Sequence, residues 1–349
     1  MSGQRELLLA TIGRLFQADL TPARRAQAEK TGWCDEFWRI AETVGLPLLL
    51  VGEAAGGFGG SLEDACAVAR LAGRHAVPAP LVEDFLARGL LAEAGLSPPE
   101  GLITLAALAE VRQSYGVAKG NARAVPWGRL ADHVLVDANY PGPSAQWLLL
   151  SLRDAVVRSG HNLAGEPSDD LVFGGAQSVV VDNGRAGATL QDRLIPLRVS
   201  QMAGALEAAL ALAIDHANNR IQFGKPIGKF QAVQQQLALM AEETAATSAV
   251  AEVLSKAPSG SLFEIAAAKL RANRAVDVAV PIVHQTLGAI GFTAEHGLHR
   301  LTQRLLWWRS ECGGDAYWAR QLGRMVIARG GAALWPDLTA RTDALSVAG

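Results

Sequence analysis

Only three cysteines occur in 349 residues, Cys34, Cys66 and Cys312, and they lie far apart. That spacing excludes a disulfide framework or a thiolate zinc site and suits a reducing compartment. His296 and His299 stand three apart, but no third ligand accompanies them, so no metal centre is expected. Charge is sparse and nearly balanced, 32 basic against 34 acidic residues for a net −2, which removes any electrostatic argument for nucleic acid or an anionic membrane surface. The apolar runs Leu46–Val51 and Trp147–Leu150 are far too short to span a bilayer. The N-terminal run MSGQRELLLATIGRLFQ carries charges on both sides of its apolar stretch and has no small-residue cleavage site, unlike a signal peptide. A soluble, cytoplasmic protein is the expectation.

Apolar residues are abundant, at half of the chain, and the length suggests two or three domains. Up to residue 101 the pattern is helical: Leu8, Ile12, Leu15 and Phe16 recur at helical spacing, as do Phe37, Ile40, Ala41 and Val44. The glycines between Gly52 and Gly60 have no Gly-Lys-Ser/Thr after them, so they read as a tight structural loop. Ser61 with Asp64 three residues on is a helix-start signal. Ser97-Pro98-Pro99-Glu100-Gly101 breaks the helical run.

From 102 to 188 short β-rich runs follow, among them His133–Val136, Trp147–Leu150, Leu171–Phe173 and Ser178–Val181, punctuated by Pro126, Pro141-Gly142-Pro143, Gly160 and Gly174-Gly175. They imply a small barrel or sandwich. From 189 to 349 helical stripes return: Met202, Leu206, Leu210 and Ala213; Val233, Leu237, Met240 and Thr244; Ile265 through Val283 in steps of three and four, with a kink expected at Pro281; and Arg304–Ile327, interrupted at Gly313-Gly314. Broad apolar faces on long helices need one another, so a four-helix bundle is expected, with a loose tail after Trp335. The fold class is therefore α+β, mostly α: an N-terminal helical domain (1–101), a middle β-barrel domain (102–188) and a C-terminal four-helix bundle (189–349).

The stretch from Asn219 to Gln234, NRIQFGKPIGKFQAVQ, resembles the R-x-x-F-G-x-P-I-x-x-F-Q-x-x-Q signature of acyl-CoA dehydrogenases. His284–Glu295, HQTLGAIGFTAE, is similar to their Q-x-x-G-G-x-G-[FY]-x-x-E segment, and Glu53–Gly60 looks like their P-E-E-Y-G-G-x-G loop. The resemblance implies FAD as cofactor, an acyl-CoA thioester as substrate, and a homo- or hetero-oligomer in which these groups reach the partner's FAD. It assigns cofactor binding to Arg220, Gln222, Phe223, Gln285, Gly288 and Ala289. Their chemistry agrees: a guanidinium fork suits a diphosphate, an aromatic ring suits adenine, and a small-residue turn lets backbone approach.

Departures from the family lie where the chemistry needs a base. A carboxylate must take the α-proton of the thioester, and in most members it is the Glu of a Y-E-G-T segment about twenty residues beyond the second motif. Here Cys312 takes that position and Glu311 falls one residue early, a rotation of about 100° on a helix. A second station used by some members, on the first bundle helix, lands on Leu194, with Asp192 two residues earlier. Glu311 and Asp192 are thus the weak candidates and the catalytic residue is left unassigned. At the place of the family's flavin-holding T-E-P-x-x-G-S-D loop stands Ala106–Gln113. Gly291–His299, Gly314-Asp315-Ala316 and Val125-Pro126-Trp127 instead resemble short bacterial members that pair with a separate, glutamate-bearing chain and act on steroid or other bulky acyl-CoA esters. The alternatives are a self-sufficient homo-oligomer with a displaced base, or a flavin monooxygenase on the same fold.

Overall fold

The computed structural model describes residues 2–138, 146–182, 189–256 and 261–347. The Pro141-Gly142-Pro143 turn and the boundary expected at 188 lie outside the described residues.

Five helices come first: α1 (Ser2–Asp19), α2 (Pro22–Thr31), α3 (Asp35–Thr43), α4 (Leu62–Arg74) and α5 (Leu81–Glu93). Ser61 and Asp64 form a reciprocal capping box at the start of α4, as their spacing suggested. Among the described residues six strands follow: β1 (Ile103–Ser114), β2 (Val117–Pro126), β3 (His133–Ala138), β4 (Gln146–Ser151), β5 (Val156–Arg158) and β6 (Ser168–Val181). Their order is β2-β1-β3-β4-β6-β5, and an additional β2–β6 pairing closes the sheet into a barrel. Alternate residues point inward, so Val111, Val134, Val136, Leu148, Leu150, Leu171 and Phe173 fill a core of their own. Ala106–Gln113 lies inside β1, a strand and not a loop.

The last part holds α6 (Leu190–Asn219), the short hairpin β7 (Ile221–Gln222) and β8 (Lys225–Pro226), then α7 (Gln231–Lys256), α8 (Leu262–Leu287), α9 (Leu298–Ser310), α10 (Asp315–Arg329) and α11 (Leu334–Val347). α6, α7 and α8 pack against one another; α9 lies on α6 and α8, and α10 on α8. The tail expected to be loose is thus helical from Leu334 to Val347. By length and composition alone, α6 and the Leu262–Phe292 stretch could cross a membrane. In this fold Leu194, Ile195, Leu197, Met202 and Leu206 of α6, with Ile265, Val276, Ile282 and Val283 of α8, are spent on the protein core.

Two devices fix α6. Its backbone meets that of α4 at glycines: a Cβ on Gly204 would collide with the Arg70 carbonyl, and one on Gly73 with that of Gln201. Its N-terminus is clamped to the barrel by the buried Asp137 of β3, whose carboxylate oxygens accept the Leu190 N–H at 3.2 and 3.1 Å. Burial outweighs that hydrogen bond and pushes the Asp137 carboxyl up to about 7. The folded chain therefore keeps a proton that the unfolded chain releases near the ordinary carboxylate value, and the stability this gives at low pH is lost as pH rises through about 7. Between about pH 4 and 7, wild type should lose about 2–4 kcal/mol relative to Asp137→Asn in urea unfolding. Parallel pH profiles for the two proteins would rule this out.

Candidate functional site

α6 ends at Arg220, and the chain reverses through the hairpin β7–β8. The two turn residues, Phe223 and Gly224, sit at φ 52° and 77°, the double left-handed arrangement of a tight primed turn. For a phenylalanine that backbone is strained. The strain holds the ring 92% exposed, edge-on to Phe230 at 6.1 Å between centroids. Arg220 is exposed, and among the described residues no carboxylate pairs with it. Gln222 folds its amide onto the Ile221 carbonyl at 2.7 Å.

α8 ends at Gly288, whose φ of 63° and ψ of −143° are accessible to glycine and scarcely to any other residue. Open space faces the missing side chain. Gln285 and Ala289 flank it, both exposed, and the exposed Phe292 stacks on His284 at 4.6 Å. α6 and α8 pack against each other with their C-termini at one end of the bundle. The proximity is visible in His216, one turn before Arg220: burial, then His296 beyond the α8 terminus, and then Arg220 lower its pKa. The six residues Arg220, Gln222, Phe223, Gln285, Gly288 and Ala289 thus stand on exposed surface at that end.

The two carboxylate candidates have other partners. Asp192 accepts the Thr189 N–H at 3.1 Å and closes the capping box of α6. Glu311 follows α9 with its side chain 13% exposed and lies 2.6 Å from Arg198 Nε, while Arg198 Nη2 donates to its other oxygen at 3.1 Å. The same guanidinium donates to Glu83 at 2.6 Å and to Gln201. Its Cζ lies over the Trp308 ring, 5.6 Å from the centroid. Burial raises the Glu311 pKa, and Arg198 opposes that shift. For Arg198 burial disfavours the charge, but Glu311 and Glu83 outweigh it and raise its pKa.

The loop after Glu311 is tied down. Buried Lys269 of α8 donates to Asn273 at 2.7 Å and to the terminal carbonyls of α9 at Trp308 and Arg309, 2.7 and 3.2 Å, capping that helix. Burial lowers its pKa to about 8. Cys312 occupies φ 56° with its carbonyl accepting from Trp318 Nε1 and Gln191 Nε2. Burial pushes its thiol up to about 12, which disfavours the thiolate that a reactive cysteine or a base needs. This cluster of Glu83, Arg198, Lys269 and Glu311 was invisible in sequence, because Arg198 is 115 residues from Glu83 and 113 from Glu311.

Comparison with known proteins adds to this geometry. The family description "Acyl-CoA dehydrogenase, C-terminal domain" matches residues 193–326. Over 305 residues the chain is 31% identical to the acyl-CoA dehydrogenase IpdE2 of Mycobacterium tuberculosis, covering 86% of this chain and 90% of that one. A variant of the Tcur3481-Tcur3483 steroid ACAD shares the fold at a TM-score of 0.87 and 23% identity, over 95% of this chain and 99% of its own. The ChsE4-ChsE5 complex from Mycobacterium tuberculosis does so at 0.80 and 21%, over 93% and 97%. A helical, barrel and helical order, a strained aromatic turn after the first bundle helix and a relative of this coverage agree: the chain belongs to the acyl-CoA dehydrogenase family, whose members are FAD-dependent oxidoreductases.

Proposed function

We propose that this chain serves α,β-dehydrogenation of an acyl-CoA thioester as one subunit of a heteromeric assembly, lending Arg220, Phe223 and the Gly288 turn to FAD held chiefly by a partner chain that carries the base. The carrying observation is Glu311. The one carboxylate beside the family's base position is only 13% exposed and is engaged by Arg198, which Glu83 shares. A base must reach the proton it abstracts, and a carboxylate held in an internal ion pair does not. The two-chain ChsE4-ChsE5 complex, which has this fold, supports a heteromeric reading.

The residues present suit FAD. The Arg220 guanidinium has no carboxylate competitor among the described residues and matches a diphosphate with a bidentate fork. The exposed Phe223 ring offers a face or edge to adenine. The open space at Gly288 lets phosphate oxygens approach main-chain N–H groups. FAD, when bound, supplies the hydride acceptor. This chain's own residues bind and orient; the proton is taken elsewhere in the assembly.

Turnover of an acyl-CoA by the reconstituted two-chain assembly tests the division of labour. Glu311→Gln in this chain should leave the rate within a few-fold, whereas a base would lose at least about 100-fold. A collapse of that size, with the assembly intact, would identify Glu311 as the base and return the chain to a self-sufficient homo-oligomer.

A further inference from the structure

A cavity of about 510 Å³ opens between α2, α4, α6 and the start of α9, on the side of the α6 end that carries Arg220. Its wall carries Arg25, Arg74, His75, His296 and Arg300, with Asp215 as the opposing acid. The volume is within the range of small-molecule sites.

Arg25 is the least compensated of the three arginines. Its Nε donates to the Leu20 carbonyl at 3.0 Å and its Nη1 to the Ala76 carbonyl at 3.4 Å. A guanidinium has five N–H donors, and among the described residues no carboxylate pairs with this one. Arg300 is engaged by Glu29, which also faces His299 at 3.5 Å, and Arg304 by Glu166 at 2.7 Å. Arg74 reaches Glu207 only at 3.9 Å, and Glu207 is already held by Arg70 and by Ser248 at 2.9 Å. Asp215 accepts from Asn219 at 2.9 Å.

Burial, then Arg300 and Arg304, lower the Arg25 pKa to about 10, with Glu29 opposing. Burial, then Arg25 and Arg74, lower that of His75. The guanidiniums repel one another in a half-buried space and hold His75 neutral, an arrangement that an anion would relieve. Two further features mark residues of its wall. Ala76, whose carbonyl holds Arg25, is at φ 47°, a strained position for alanine. The Nδ1 of His296 is sealed from solvent with no hydrogen-bond partner.

We propose that this cavity is a binding site for a phosphate monoester, with Arg25 and Arg74 as the phosphate-contacting cations and His296 and His75 beside them. The space exceeds what a lone phosphate fills, so the ligand carries an organic body that occupies the remainder. The site is independent of the flavin role given above, since it uses none of Arg220, Phe223 or Gly288.

The test is isothermal titration calorimetry on the full chain at fixed ionic strength in chloride, with ribose 5-phosphate and inorganic phosphate as probes. One equivalent of ribose 5-phosphate should bind. Arg25→Gln and Arg74→Gln should each weaken it tenfold or more, the scale of a lost charge-assisted hydrogen bond. Arg74 is largely exposed, so its variant keeps the test valid should Arg25→Gln fail to fold. Tighter binding of ribose 5-phosphate than of inorganic phosphate supports a monoester; equal binding of both supports the anion site and removes the organic body. No heat from either probe, binding insensitive to both variants, or binding lost in Arg220→Ala instead would overturn the proposal. So would loss of binding once the chain is assembled with its partner, which would mean that an acidic group of that chain fills the cavity.

Discussion

Replacing Arg198 with methionine should destabilise this chain by about 3–5 kcal/mol, the largest stability loss expected from a single substitution here. Arg198 is 3% exposed and stands between Glu83 and Glu311 at 2.6 Å from each. Without it two carboxylates face one another in a largely buried space with their shared cation gone. Domains have about 5–15 kcal/mol in total, so the variant should unfold at a much lower urea concentration. Adding Glu311→Gln removes one of the stranded charges and should restore part of the loss, a coupling that a double-mutant cycle reads directly. An Arg198→Met protein within about 1 kcal/mol of wild type would show that the cluster is solvated and that Glu311 is free to act.

Arg220→Ala should have the largest functional effect and almost none on folding. The side chain is exposed and has no carboxylate partner among the described residues, so its loss should change stability by less than about 0.5 kcal/mol. A charge-assisted contact to a diphosphate contributes about 1.5–3 kcal/mol, so the assembled protein should hold FAD about 10- to 100-fold more weakly. Flavin fluorescence released on dilution measures it. Unchanged retention would place the diphosphate away from this turn.

Much of this was legible in sequence because it is local. The capping box of Ser61 and Asp64 needs only a spacing of three. The signature around Arg220 and Phe223 is contiguous, and so is the turn at Gly288, where backbone angles select glycine. Strand limits were harder: Gly174-Gly175 reads as punctuation, yet β6 runs through it from Ser168 to Val181. The β1 run was missed because Ala106–Gln113 has little of the β-branched enrichment that marks strands, and pairing with β2 and β3 decides its conformation. The role of Glu311 was out of reach, since its partners come from α5 and α6 and no spacing rule joins them. The cavity around Arg25 was hidden in the same way, being assembled from four helices.

The absorption spectrum of the purified chain, expressed alone and then together with a glutamate-bearing chain of the same fold, tests the shared-cofactor reading most directly. The expected result is little or no flavin in the chain alone and stoichiometric FAD in the assembly, bleached by acyl-CoA. A yellow homo-oligomer that bleaches with acyl-CoA in the absence of any second chain would contradict it.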